Sequence, residues 1–297
     1  MREEDHLRKG EKSHVFESLV SGAIAGLAAR SAIAPLDTLK LRLQLGTDTL
    51  PHTLKSLIRH EGLLALWKGN LAGSIMYIIY GSVQFGTYSY TNAALLKVCD
   101  VPPTIHSTLA GAITGMASSL CSYPFDVLRT RLATTTTTTT TATTGRSGRG
   151  LYQHIERIYI REGLGGFFHG VATSMANVTV STAAMFGTYE GIRARWPETN
   201  AGTAGAISGV ISRTITFPLD TIRRRLQIRT SSELGQMTNN GYIGKHMQRS
   251  AITLCVQIVR DEGVKVLFRG IGLGLLKSVP NTAINLWVYE NLMRVLT

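Results

Sequence analysis

Ionisable side chains are missing from long stretches of this chain. From Gly69 to Leu96, 28 residues, there is no Asp, Glu, Lys, Arg or His. From Val101 to Phe125 the only one is His106, and from Gly170 to Tyr189 there is again none. Each run is long enough for an α-helix to cross a hydrocarbon core of about 30 Å. The runs are rich in Gly, Ala, Ser and Thr rather than Leu, which lets neighbouring helices approach closely in a bilayer. This explains a mean hydropathy of only +0.09 in a chain that reads as a membrane protein. Three such runs argue against a soluble helical domain.

The chain repeats itself. Gly22-Ala23-Ile24-Ala25-Gly26, Gly111-Ala112-Ile113-Thr114-Gly115 and Gly205-Ala206-Ile207-Ser208-Gly209 match. A proline follows 13 residues after each first glycine, at Pro35, Pro124 and Pro218. Two residues beyond lies an acid, at Asp37, Asp126 and Asp220. Three further on lies a base, Lys40, Arg129 or Arg223, and then a second, Arg42, Arg131 or Arg225. Downstream, Glu61-Gly62 with Trp67-Lys68-Gly69 matches Glu162-Gly163 with Phe168-His169-Gly170, and Glu262-Gly263 with Phe268-Arg269-Gly270. Fixed-period self-similarity of this kind marks an array of one supersecondary unit.

Each unit reads as two long helices joined by a polar segment with a short helix. The first long helix carries the proline, and the second starts after the aromatic-base-glycine corner. The predicted fold is therefore all-α, with six transmembrane helices in three pseudo-symmetric repeats and both termini on one side. The repeats run over 13–100, 101–198 and 199–297, after an N-terminal tail at 1–12. The joining segments carry most of the bases, which puts the positive side at the proline end. Their lengths differ: 19 positions from Arg42 to Glu61, 31 from Arg131 to Glu162 and 37 from Arg225 to Glu262. Residues 134–149, opening with eight consecutive threonines, read as a low-complexity loop without chemistry.

Composition narrows the function. Lys plus Arg is 31 against 19 for Asp plus Glu, a formal charge of +12, yet charged residues make up only 17%. That balance alone would admit a nucleic-acid binder, but the bases recur at motif positions between apolar runs rather than in one patch. The N-terminus, with Glu3, Glu4, Asp5 and Glu11, lacks both a signal sequence's apolar segment and the acid-poor look of a transit peptide. Cys99, Cys121 and Cys255 form neither a CxxC pair nor a zinc spacing. No nucleophile–base pairing, metal cluster or Walker loop is visible, so neither an enzyme nor a metal site is expected.

Three bases stand apart from the motif. Arg30 and Arg213 lie seven residues before the acids Asp37 and Asp220, on the same helical face, with Ser119 at the second equivalent. Lys277 is the only charge between Gly270 and Tyr289. Ionisable groups at membrane depth are costly and usually line a polar cavity. Three uncompensated positives suit clustered negative charge such as a diphosphate, with arginine forking phosphate oxygens and lysine acting as a point charge. Tyr77, Tyr80, Gln84 and Phe85, with Asn177, Asn281 and Asn285, offer rings and amides for a heterocycle. A thiamine cofactor and a nucleotide fit equally well on this chemistry.

The repeated strings are similar to the signature of the mitochondrial carrier family, and the resemblance covers about Ser13 to Leu296. It implies a six-helix bundle in the mitochondrial inner membrane, with short matrix-side helices, both termini in the intermembrane space and a central cavity opening to alternate sides. Its kinks fall at Pro35, Pro124 and Pro218. It implies the matrix-gate pairs Asp37–Arg129, Asp126–Arg223 and Asp220–Lys40, braced by Gln44 and Gln227, with Ala133 where a third glutamine is expected. An opposite, cytoplasmic gate is implied at Tyr189, Glu190 and Arg193, and at Tyr289 and Glu290, where Met293 replaces the base and Arg294 comes one position late. Tyr88, Ser89 and Asn92 of the first unit carry neither charge, leaving contacts such as Glu290–Asn92 and a low barrier.

The resemblance also places substrate contacts at the level of Met76, Asn177 and Lys277, and cardiolipin at the corners Lys68–Gly69, His169–Gly170 and Arg269–Gly270. The strings MREEDHLRKG, SYPFDVLRTRL and FPLDTIRRR are most similar to the branch whose cargo is thiamine pyrophosphate, which implies that cargo in exchange for another phosphorylated metabolite. Nucleotides or coenzyme A-type molecules are the alternative. The expected carrier acts as a monomer and binds no cofactor and no nucleic acid.

Overall fold

The computed structural model describes residues 2–46, 48–98, 103–135, 147–228 and 250–296, and all its regular elements are helical. The first repeat comprises α1 (Arg2–Leu45), the short α2 (Leu50–Glu61) and α3 (Asn70–Val98). The second comprises α4 (Pro103–Thr134), α5 (Ser147–Glu162) and α6 (Val171–Arg195). The third comprises α7 (Ala201–Ile228), α8 (Ala251–Asp261), α9 (Ile271–Leu276) and α10 (Ser278–Leu296). A five-residue 3₁₀ turn links short and long helix in every repeat, at Leu63–Trp67, Leu164–Phe168 and Val264–Phe268. The expected tail at 1–12 is helical from Arg2, as the start of α1. Among the described residues, Leu63–Leu95 is long and apolar enough to cross a membrane by length and composition.

The helices run on through Pro35, Pro124 and Pro218. The interruption falls instead at Lys277, between α9 and α10. Pro280 has no N–H to give the carbonyl of Leu276, so the helix loses a rung there. The counterparts α3 and α6 are unbroken.

The long helices form a ring. α3 packs on α4, α6 on α7, and α10 returns to α1. Its apolar cores are three equivalent clusters at the motif end. Leu39, Leu57 and Leu66 meet in the first repeat, Leu128, Ile158 and Phe167 in the second, and Ile222, Ile258 and Leu267 in the third. The amphipathic short helix supplies the middle member each time, burying its apolar face against the long helix. Large apolar side chains are exposed along the long helices, among them Leu71, Ile78, Ile113, Leu120, Ile211, Ile215 and Trp287. Exposed apolar side chains around buried ion pairs suit a hydrocarbon solvent.

Glycine sets how closely the helices meet. A Cβ at Gly26 would lie 2.6 Å from the Tyr77 ring of α3, and one at Gly115 would lie 3.0 Å from Val178 of α6. At Gly209 of α7 the space is open, with nothing within 4 Å. The residue of α10 equivalent to Tyr77 and Val178 is Ser278, too small to cover it.

The low-complexity stretch is structural at its start. Thr134 ends α4, and Thr134 and Thr135 each donate a hydroxyl to the Arg131 carbonyl. Residues 136–146 lie outside the described residues, and 147–149 open α5.

Candidate functional site: an ion-pair latch beneath a basic cavity

The proline-motif acids and bases meet across the repeat boundaries. Arg129 donates to Asp37 at 2.7 Å, joining α4 to α1. Arg223 donates to Asp126 at 2.6 Å, joining α7 to α4. Lys40 donates to Asp220 at 2.6 Å, closing the ring from α1 to α7. The helical rise places acid and base, three residues apart, on one face, so each helix can offer its acid to one neighbour and its base to the other. Asp37, Lys40 and Asp126 are buried. Ion pairs of this kind gain little net stability, because desolvation offsets attraction, and a ring of them is therefore breakable.

The glutamines brace the pairs. Gln44 donates to Asp220 at 3.2 Å and Gln227 to Asp126 at 2.6 Å. Asp37 has no such brace, since Ala133 stands there. It accepts a hydrogen bond from Lys277 instead. Lys277 is thus not the uncompensated cavity charge its sequence setting suggests. The helix interruption sets it beside the ring, where an unpaired carboxylate oxygen attracts it.

Two sets of contacts were not anticipated from sequence. Arg224 donates to both oxygens of Asp126, at 2.9 and 3.0 Å, and its Nε lies 3.8 Å from Asp220. One guanidinium therefore serves two latch acids. Its place as the middle of three consecutive arginines is its only sequence signal. Below the ring, the second motif base holds the downstream glutamate bidentately: Arg42 with Glu61, Arg131 with Glu162, Arg225 with Glu262. The matching positions in all three repeats were a usable signal, but the unequal joining lengths hid it. Burial alone would raise Glu162, but the adjacent His169 and the forked Arg131 guanidinium outweigh it and lower Glu162 to about 2.

Above the ring lies a cavity of about 940 Å³. Arg30, Tyr77, Arg213, Lys277 and Asn281 line it, with Asp37 and Arg129 at its floor. It continues between α7 and α10, past Gly209 and Ser278, where the third repeat is left unpacked. A smaller pocket of about 160 Å³ connects Arg213, Asn177 and Lys277 to the latch residues. Arg30 lies against Gly73, and its buried Nε and Nη2 have no hydrogen-bond partner. Arg213 is exposed at the cavity, and its guanidinium makes no hydrogen bond. Asn177 is turned aside, donating to the Thr216 carbonyl at 3.2 Å. Met76, Tyr80 and Gln84 are not among the lining residues. Tyr80 instead leans toward Gly115 of α4, and Gln84 is exposed.

At the far end the residues expected to form a second gate are apart. Arg193 donates to the carbonyls of Pro197 and Thr199. Glu190 and Glu290 are exposed. Among the described residues neither Glu290 nor Asn92 makes a side-chain hydrogen bond, so the expected Glu290–Asn92 contact is not formed. Tyr189 and Tyr289 are half-buried and contribute no bridge. The ring is thus closed at the motif end and unformed at the other.

The corner bases are engaged by protein. Lys68 donates to Glu61 at 2.6 Å and to the Thr135 carbonyl at 3.1 Å. His169 lies 3.2 Å from Glu162, and Arg269 donates to the Gly46 carbonyl at 2.8 Å. The glycines that follow have φ of +79, +83 and +81° at Gly69, Gly170 and Gly270, turning the chain into the next long helix. A phosphate at these corners would therefore meet backbone N–H groups more than the side chains the sequence singles out.

Comparison with known proteins agrees with this geometry. The family described as "Mitochondrial carrier protein" matches three times, at residues 11–98, 100–200 and 197–297. A "Mitochondrial thiamine pyrophosphate carrier 1" of Candida glabrata is 42% identical, covering 100% of both chains. Proteins of the same name from Kluyveromyces lactis and Saccharomyces cerevisiae are 38% and 39% identical over 97% and 99% of this chain, and over 94% and 98% of their own. Three family repeats, three latch pairs at matching positions and a polar cavity above them lead to one conclusion: the chain belongs to the mitochondrial carrier family, as a transporter of the mitochondrial inner membrane and not an enzyme.

Proposed function

We propose that this chain carries thiamine pyrophosphate into the matrix by alternating access, in exchange for another phosphorylated metabolite. The observation that carries the reading is the pair of cavity arginines, Arg30 and Arg213, neither hydrogen-bonded within the protein, above a closed ion-pair ring. Guanidinium groups without protein partners beside the cavity suit a diphosphate, which they can fork. Tyr77 gives the ring face for a thiazolium or aminopyrimidine, and Asn281 an amide for its nitrogens. The relatives' shared name supports this cargo.

In this reading the six long helical paths span the inner membrane, with both termini in the intermembrane space. The ring of Asp37, Lys40, Asp126, Arg129, Asp220 and Arg223 is the matrix gate. Tyr189, Glu190, Arg193, Tyr289, Glu290 and Asn92 form a weaker gate on the cytoplasmic side, with no complete charge set. The carrier works as a monomer, and cardiolipin phosphates sit at the Gly69, Gly170 and Gly270 corners. The direct test is uptake of labelled thiamine pyrophosphate, nucleotides and coenzyme A by proteoliposomes. Thiamine pyrophosphate exchange well above the others supports the reading; a preference for nucleotides or coenzyme A overturns the cargo and leaves the carrier.

A further inference from the structure

We propose that Lys277 is a cargo-sensitive brace of the Asp37–Arg129 latch, taking the place of the glutamine that the second repeat lacks. This rests on the phosphate-cargo reading and deepens it.

Three observations converge. First, the latch acids are unequally held. Asp220 and Asp126 each accept a glutamine N–H, from a residue four beyond the base that pairs with that acid. The corresponding position for Asp37 is Ala133, fully buried, and a small void of about 10 Å³ lies between Ala133, Asp37 and Arg129. Second, Lys277 hydrogen-bonds the carboxylate oxygen of Asp37 that Arg129 leaves free: Arg129 takes Oδ2 and Lys277 takes Oδ1. Third, Lys277 also faces the cavity. It sits at the break before Pro280 that the other two repeats lack.

A glutamine brace and a lysine brace differ in what can remove them. The amides of Gln44 and Gln227 are buried under the ring and have no access to cargo. The Lys277 ammonium borders the cavity that holds Arg30 and Arg213, so a diphosphate bound to those arginines competes with Asp37 for it. Cargo that draws Lys277 away leaves Asp37 with Arg129 alone. One of the three latches thereby loosens only when the site is filled. A ligand shifts a conformational equilibrium only by its differential contacts in the two states, and this ammonium supplies such a difference.

The test compares wild type, A133Q, K277Q and A133Q/K277Q. A133Q places an amide four residues beyond Arg129, the offset from which Gln44 and Gln227 brace the other two acids. In detergent without cargo, K277Q melts below wild type and the double variant recovers the loss. In proteoliposomes, A133Q slows exchange at saturating cargo by about threefold or more with KM little changed, because the latch no longer yields to cargo. The double variant stays slow although its Tm has recovered. An unchanged cargo-free Tm in K277Q overturns the brace, and so does a double variant that exchanges as fast as wild type. The melting arm needs no cargo. A chain that shows the melting pattern but rejects thiamine pyrophosphate therefore overturns the cargo reading alone.

Discussion

Arg131 and Glu162 face each other through two parallel hydrogen bonds, Nη1 to Oε1 at 2.6 Å and Nη2 to Oε2 at 2.7 Å. The pair ties the end of α4 to the end of α5, and the same clasp recurs at Arg42–Glu61 and Arg225–Glu262. These clasps lie outside the expected spans and join each short helix to the long one before it.

The clasp makes stability depend on acid. Burial alone would raise Glu162, but the nearby His169 and the forked Arg131 guanidinium lower it to about 2, from 4.5. A depressed carboxylate contributes stability that is present above its unfolded value and is lost as pH falls through its folded one. The melting temperature in detergent should fall as pH drops from 4.5 toward 2, with Glu162 contributing on the order of 2–3 kcal/mol of the loss. E162Q should flatten that part of the profile while lowering Tm at neutral pH.

Gly69 and Gly270 separate backbone strain from crowding. Both have positive φ, where a side chain costs about 1–2 kcal/mol. A Cβ at Gly69 would also come within 2.7 Å of the Arg129 carbonyl of the next repeat, while one at Gly270 would reach 3.4 Å from Lys40. G69A should therefore lower Tm clearly more than G270A. Equal losses would show that the close approach at Gly69 relaxes freely.

Arg224 is the shared partner of Asp126 and Asp220. Removing one member of a buried charge cluster typically costs about 3–5 kcal/mol. R224A should lower the cargo-free Tm strongly, and R224K should restore part of the loss through charge without the fork.

The two gates should respond unequally. D37N, D126N and D220N each break a latch pair and should lower exchange by at least about tenfold. E190Q/E290Q removes exposed carboxylates without ion-pair partners and should leave exchange within about threefold. Equal loss in both sets would refute a weak outer gate.

The repeat made much of this legible in advance. The latch pairs Asp37–Arg129, Asp126–Arg223 and Asp220–Lys40 obey one rule three times, so matching offsets with a family resemblance were enough. What breaks the symmetry was hidden. Arg224 has Leu41 and Thr130 as counterparts, and nothing in its own segment says that it reaches two acids. Lys277 looked unpaired because its partner lies on α1, 240 residues away. Pro280 lies outside the repeated motif, yet the helix breaks one turn before it. Counting along a helix to Met76 fixes a face to within a turn but not which neighbour covers it.

The cavity arginines decide whether this is a phosphate pathway. Thiamine pyrophosphate exchange into proteoliposomes should be measured for wild type, R30Q and R213Q, together with detergent Tm to confirm folding. A loss of at least about tenfold in both variants, with Tm retained, is the expected result. Folded variants that exchange at the wild-type rate would contradict a basic cavity built for diphosphate.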